Sequence, residues 1–246
     1  MISQEQFNFD KERNFKEIFS DAWLFIQQFG KEYVFLVFIY AAPLFALSAY
    51  FASQANIEIH ASQQLFYSSY LWYSLLVDFF ADVIVNGVTF SALIMFIQTG
   101  KIVREDVMTY FNQNFLFILG VTIVANVIIS LGFILFIVPG IISLVPMSLF
   151  VFDRFLHKQS FEISFLRSFE LTRSNIALSY GVIFLMYAVI FIVKFVFEQN
   201  MSVTSQQYII VNTVFQTAFQ ILFSCSSIII VLLYYSLFSK LKKRSM

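Results

Sequence analysis

The longest stretch of the chain without a charged residue covers residues 107–152 and contains 46 residues. As a single α-helix it would be about 69 Å long, at 1.5 Å per residue. A membrane-spanning helix needs only about 20 residues, because the hydrocarbon core of a bilayer is about 30 Å thick. The stretch is therefore too long for one span and long enough for two. We expect the chain to reverse near Pro139 and Gly140, since proline breaks helical hydrogen bonding and glycine permits a tight turn.

The composition favours a membrane protein as well. Of the 246 residues, 59% are hydrophobic and only 12% are charged, whereas a soluble domain has about 25% charged residues. Such a chain lacks the polar side chains that would cover the surface of a soluble fold. The formal net charge is zero, which gives no general attraction to nucleic acid.

The remaining apolar stretches complete a set of six spans within one integral membrane domain, residues 1–246. The predicted spans cover approximately residues 33–53, 70–98, 113–138, 140–157, 175–198 and 206–240. The predicted fold class is all-α, a polytopic six-helix transmembrane bundle. This arrangement places every Lys and Arg except Lys194 on one side of the membrane. Because cytoplasmic loops collect these residues, we expect an N-in and C-in orientation.

Two amphipathic segments are expected on the cytoplasmic side. In the segment 158–174, Phe161, Phe165 and Phe169 recur at four-residue spacing, and Ser160 is a suitable N-cap. The N-terminal segment 1–31 also carries apolar residues at helical spacing. These residues are Phe15, Ile18, Phe19, Ala22, Trp23, Ile26 and Phe29. The pattern predicts two helices that lie in the membrane interface.

One part of the chain resembles a known family. The run "LGFILFIVPGIISLVPMSLFVFD", followed by "FLRSFELTRSN", is similar to bacterial membrane proteins of the YciC-like group and to the membrane domain of glycerophosphodiester phosphodiesterases. Phe169 stands where that group usually has Trp, and Ser174 where it usually has Gly. The resemblance covers about residues 7–30 and 130–190. It implies a six-helix fold in the bacterial cytoplasmic (inner) membrane and no assigned activity, since catalysis in the phosphodiesterases belongs to a separate barrel domain.

Polar side chains inside the predicted spans are the first candidates for a site. An ionised side chain near the bilayer centre costs roughly 2.5–3.5 kcal/mol, so such residues need a reason. Several lie at four-residue spacing or at similar depth, and we expect a polar layer shared by spans two, three, five and six. The candidates are Asp78, Asp82, Asn86, Asn126, Asn212, Gln216 and Gln220. They could line a proton- or cation-linked cavity, hold the polar end of a lipid-like ligand, or hydrogen-bond neighbouring helices together.

Cationic residues around the fourth span form a second candidate set. Arg154, Lys158, Arg167 and Arg173 lie on the predicted cytoplasmic side. Such clusters can bind phospholipid headgroups. The same residues are also explained by the positive-inside rule alone.

The sequence contains no arrangement typical of an enzyme. It has no Ser-His-Asp pattern, no phosphate-cradling glycine loop and no cluster of metal ligands. We therefore expect no enzymatic activity, no cofactor and no bound metal. The predicted role is structural, lipid-handling or accessory, with the lipid bilayer as the main partner and a phospholipid as a candidate ligand. The alternative is a small proton- or cation-linked transporter or channel that uses Asp78 and Asp82.

Overall fold

The computed structural model describes residues 9, 11–62, 68–135, 137–199 and 205–244. Within these ranges the chain forms seven α-helices and no strand. The helices are α1 (Phe15–Ser62), α2 (Ser69–Thr99), α3 (Arg104–Leu135), α4 (Ile137–His157), α5 (Phe161–Ser174), α6 (Ile176–Gln199) and α7 (Ser205–Arg244). All except α5 are long and apolar enough to cross a membrane. The predicted all-α polytopic bundle is confirmed.

The first helix differs from the prediction at its N-terminal end. Residues 15–31 do not form a separate interfacial helix, because α1 runs without a break for 48 residues. Ile18, Ala22 and Phe25 are buried in the main core, and α1 packs along α7. The apolar face expected to lie in the lipid interface is therefore covered by protein only in part, since Phe15 and Trp23 are exposed.

The reversal between α3 and α4 occurs slightly before the predicted position. α3 ends at Leu135, and Pro139 lies in the first turn of α4, where its missing N–H would be unpaired in any case. Gly132 and Gly140 bring the two backbones together at this turn. A Cβ added at Gly132 would lie 2.9 Å from the Cα of Gly140. The 46-residue apolar stretch is thus divided between two helices. The last turn of α3 packs closely against the first turn of α4.

The segment before α1 lies beside the end of α7. The backbone N–H of Arg13 donates to Ser236 Oγ at 2.8 Å, and the Ser236 hydroxyl donates to the Arg13 carbonyl at 3.0 Å. The Lys243 ammonium lies 3.0 Å from the Glu12 carboxylate. These contacts agree with an even number of spans, which returns the chain to its starting side.

Aromatic rings from four helices pack at the same end of the bundle. Rings from the start of α1 and the end of α2 meet there, with the Phe25 and Phe96 centroids 5.0 Å apart. Rings from the ends of α4 and α7 meet in the same way, with 5.0 Å between Phe152 and Tyr234. Edge-to-face pairs of this kind add stability beyond their buried area. The cationic residues predicted around the fourth span are attached to this end of the bundle.

Candidate functional site

The acidic pair on α2 does not enclose a buried site. Asp78 and Asn86 are half-buried, while Asp82 is exposed. Asp82 lies near the middle of the helix, about 20 Å from its first residue at 1.5 Å per residue. The neighbouring Ala81 and Val83 are fully buried. Asp82, which lies between them in the sequence, is turned away from both buried positions. Its carboxylate consequently lies at the outer surface of the single chain.

The polar residue predicted on α3 is also directed outward. Asn126 is exposed, whereas the preceding Ala125 is buried with Thr122 and Ile118. Adjacent residues on a helix are about 100° apart, so Asn126 is turned away from the buried face. α3 packs mainly against α2 and α4. The expectation that Asn126 joins a layer shared by four helices is therefore wrong.

The amides on α7 lie deeper. Asn212 and Gln216 are half-buried, and Gln220 is only 4% exposed. Among the described residues, the Gln220 Nε2 atom has no hydrogen-bond partner. These three amides thus lie on the packed side of α7, and their role as a site stays a prediction.

Most of the cationic residues named as candidates for binding lipid headgroups contact protein groups instead. The Arg154 guanidinium lies over the Phe117 ring at 4.8 Å, and the Lys158 ammonium lies over the Tyr110 ring at 5.1 Å. Both are cation–π contacts that tie the end of α4 to α3. Arg173 is exposed in the last turn of α5. The fourth candidate, Arg167, belongs to a buried ionic cluster.

That cluster surrounds Asp153, whose side chain is completely buried. Its Oδ1 atom accepts hydrogen bonds from Arg167 at 3.2 Å and from the Tyr234 hydroxyl at 2.5 Å. The His157 Nε2 atom lies 3.1 Å from the same hydroxyl. Arg167 also donates to Gln159 Oε1 at 2.8 Å. We call these five residues the Asp153 cluster.

The Asp153 cluster joins three helices at the end of the bundle where α4 and α7 end. Asp153 and His157 come from α4, Arg167 from α5 and Tyr234 from α7. A buried carboxylate requires a partner, because removing an ion from water costs several kcal/mol. The cluster contains no activated nucleophile and holds α5 against the spans. The role of Arg167 that the structure supports is therefore positioning, whereas the sequence left lipid headgroups and the positive-inside rule as alternatives.

Sequence reasoning missed four of the five members of this cluster. Asp153 marked only the end of an apolar stretch, and His157, Gln159 and Tyr234 were not proposed for a site. The signal for part of it was present: an acid directly after an apolar stretch, with Arg167 in the next short helix. Nothing in the local sequence indicates the contact with α7, which lies 81 residues further along the chain.

The helix α5 begins as predicted. The Ser160 hydroxyl accepts from the Ile163 N–H at 3.4 Å, which is the expected N-cap. Ile163 and Leu166 are 49% and 61% exposed, and they lie beside the cytoplasmic ends of the spans in the predicted topology. Insertion of this face into the membrane interface stays a prediction.

An apolar groove lies between α6 and α7 at the opposite end of α7. Its volume is about 430 Å³. α6 contributes Val193, and α7 contributes two adjacent rows of side chains at four-residue spacing. The α7 residues are Ile210, Val211, Val214, Phe215, Ala218, Phe219 and Leu222. We call this the α6–α7 groove. It is open on one side, where Ile210 and Val214 are more than 60% exposed.

Within the described ranges, no group of three or more His, Cys, Asp or Glu side chains could hold a metal ion. The side chain of His60 lies outside the described residues.

No protein-family model, curated protein or solved structure matches this chain. The resemblance to the YciC-like group stays a prediction.

Proposed function

We propose that this protein is a non-enzymatic, multi-pass protein of the bacterial cytoplasmic membrane that handles lipid. It holds an acyl chain of a membrane lipid in the α6–α7 groove. The observation that carries the proposal is that every residue lining the groove is apolar.

The position of the groove favours lipid as its occupant. Its residues belong to two helices that are apolar and long enough to span a membrane. Inside a bilayer the surrounding solvent is hydrocarbon, so an open apolar groove is filled by acyl chains. Its volume lies within the range of about 300–1,000 Å³ that is usual for small-molecule sites. Among the residues that the structure describes, the lining offers no polar group to bind or orient a polar substrate.

Photolabelling tests the occupant directly. The protein is reconstituted with a phospholipid that carries a photoactivatable diazirine on its acyl chain, and the labelled residues are mapped by mass spectrometry. We expect several-fold more label on α7 residues 210–222 than on α3 residues 123–134, although the α3 segment has more exposed side chains. Labelling of both segments in proportion to their exposed area would contradict a specific site.

A matched pair of tryptophan variants separates filling of the groove from general perturbation. Ala218→Trp places an indole in the groove, whereas Leu131→Trp adds one to the exposed face of α3. We expect Ala218→Trp to remove most of the label from residues 210–222. Leu131→Trp should leave that label unchanged.

We propose the N-in and C-in orientation on two grounds. Both chain ends lie on the same side of the bundle, since Lys243 contacts Glu12. That side also carries nearly all of the cationic residues, as expected for cytoplasmic loops.

Cysteine labelling in intact cells tests this orientation. With Cys225 replaced by Ser, a membrane-impermeant maleimide should label Ser69→Cys, at the outer end of α2, in intact cells. Glu12→Cys should react only after the cells are permeabilised. The reverse pattern would refute the proposed orientation.

A further inference from the structure

A polar pocket lies where the segment before α1 meets the end of α7. Its volume is about 550 Å³, and it is formed by the start of α1, the start of α6 and the end of α7. The lining residues are Glu12, Arg13, Asn14, Phe15, Asn175, Leu178, Lys240 and Lys243. We call it the terminal pocket. We propose that the terminal pocket binds the phosphate group of an anionic phospholipid in the adjacent leaflet.

The charges around the terminal pocket leave an excess of positive charge. Arg13 is neutralised, because its Nε atom lies 2.7 Å from Asp21. Lys243 lies 3.0 Å from Glu12, but the two side chains are 71% and 40% exposed, and exposed pairs are weak. Lys240 is half-buried and has no ion pair among the described residues. One unbalanced ammonium and one loosely paired ammonium therefore face the same space.

The N-terminus of α6 adds to this field. Asn175 precedes α6 and accepts from the Leu178 N–H at 3.4 Å. The N-terminal end of a helix dipole favours an anion, so the dipole of α6 reinforces the two lysines, which supply the net charge. The N-terminus of α1 is already compensated, because the Glu17 carboxylate accepts from the Asn14 N–H at 2.8 Å.

The level of the pocket indicates a membrane lipid. α6 begins its apolar span at Ile176, directly after Asn175, and Ile176 is 59% exposed. α7 ends its apolar span at Lys243. The pocket therefore lies where two spanning helices leave the hydrocarbon, which is the level of the headgroups. Phe15 and Leu178 give the pocket an apolar wall that suits the glycerol region of a lipid.

This site is separate from the α6–α7 groove. Leu222 and Lys240 are about 27 Å apart along α7, at 1.5 Å per residue. The two features lie toward opposite ends of the span and would meet opposite leaflets. Failure of one proposal leaves the other unaffected.

Native mass spectrometry with defined lipids tests the proposal. The purified full-length chain is titrated with phosphatidylglycerol or with phosphatidylcholine, and bound lipid is counted at each concentration. The parent protein should bind the anionic lipid more tightly. The double variant Lys240→Gln with Lys243→Gln should lose roughly 25-fold in affinity for it, since each cation near an anionic surface contributes about fivefold.

A second double variant controls for the loss of charge. Lys16→Gln with Lys31→Gln removes two exposed lysines of α1 that do not line the pocket. It should bind phosphatidylglycerol as the parent does, and all three proteins should have the same melting midpoint.

Three results would overturn the proposal. The first is equal loss of affinity in both double variants, which would indicate a general charge effect. The second is equal binding of phosphatidylglycerol and phosphatidylcholine by the parent. The third is displacement of the lipid by inorganic phosphate but not by chloride at the same ionic strength, because the site would then be selective for free phosphate.

Discussion

Replacement of Arg167 by methionine should destabilise the protein through the charge that it leaves behind. Arg167 donates to Asp153 at 3.2 Å, and Asp153 is completely buried. Methionine keeps most of the side-chain volume but offers no donor. The Asp153 carboxylate would keep its hydrogen bond from Tyr234 and lose its cation. The fold would then contain a buried acid without charge compensation.

The expected loss follows from the burial of this pair. Removing one partner of a buried ion pair costs about 3–5 kcal/mol. Arg167 is 23% exposed, which weakens the pair relative to a fully buried one, so we expect about 3 kcal/mol. For a chain of this size, that corresponds to a fall of about 6–12 °C in the melting midpoint.

Thermal unfolding in detergent measures the effect, and the chain offers a matched control. Arg173→Met removes the same charge from the same helix, but Arg173 is exposed in its last turn. We expect this control to melt within about 1 °C of the parent, because exposed charges contribute little. Adding Asp153→Asn to Arg167→Met should recover part of the loss, since the neutral amide is cheaper to bury.

The refuting result is specific. If Arg167→Met and Arg173→Met lower the melting midpoint equally, the Asp153 cluster does not hold α5 in place. If Asp153→Asn worsens the Arg167→Met variant, the buried charge is not the source of the loss.

Two further predictions concern the turn between α3 and α4 and the acids of α2. Gly132→Ala should destabilise the protein by about 1–3 kcal/mol, because its Cβ would lie 2.9 Å from the backbone of Gly140. Gly120→Ala has open space within 4 Å and should stabilise it by up to about 1 kcal/mol, as thermal unfolding of both will show. The double variant Asp78→Asn with Asp82→Asn should insert at least as well as the parent, since intramembrane acids oppose insertion. Liposomes with the parent protein should show no proton or cation flux above empty liposomes; a flux that the double variant loses would support the transporter instead.

Features set by short-range interactions could be predicted from the sequence. The cap at Ser160 was predictable because its hydroxyl reaches an N–H only three residues away. The reversal before Pro139 was predictable because a break in helical hydrogen bonding acts at the proline itself. Neither depends on which helix packs beside which.

The orientation of polar residues within the bundle could not be predicted in the same way. Asp82 and Asn126 lie in apolar helices and were expected to face other helices, yet both are exposed. Lipid is as apolar as a buried helix face, so hydropathy does not distinguish the side of a span that meets lipid from the side that meets protein. Only the packing of α2 and α3 decides which side is covered.

The sequence by itself determined the six spans, because the free energy of placing a segment in hydrocarbon is a sum over its own residues. The tertiary structure decided which residues meet across those spans. Asp153 and Tyr234 form a hydrogen bond although 81 positions separate them, and the start of α1 packs against the end of α7. Such contacts depend on the rotation and depth of whole helices. Those are fixed by the packing of many side chains at once, which no local stretch of the chain encodes.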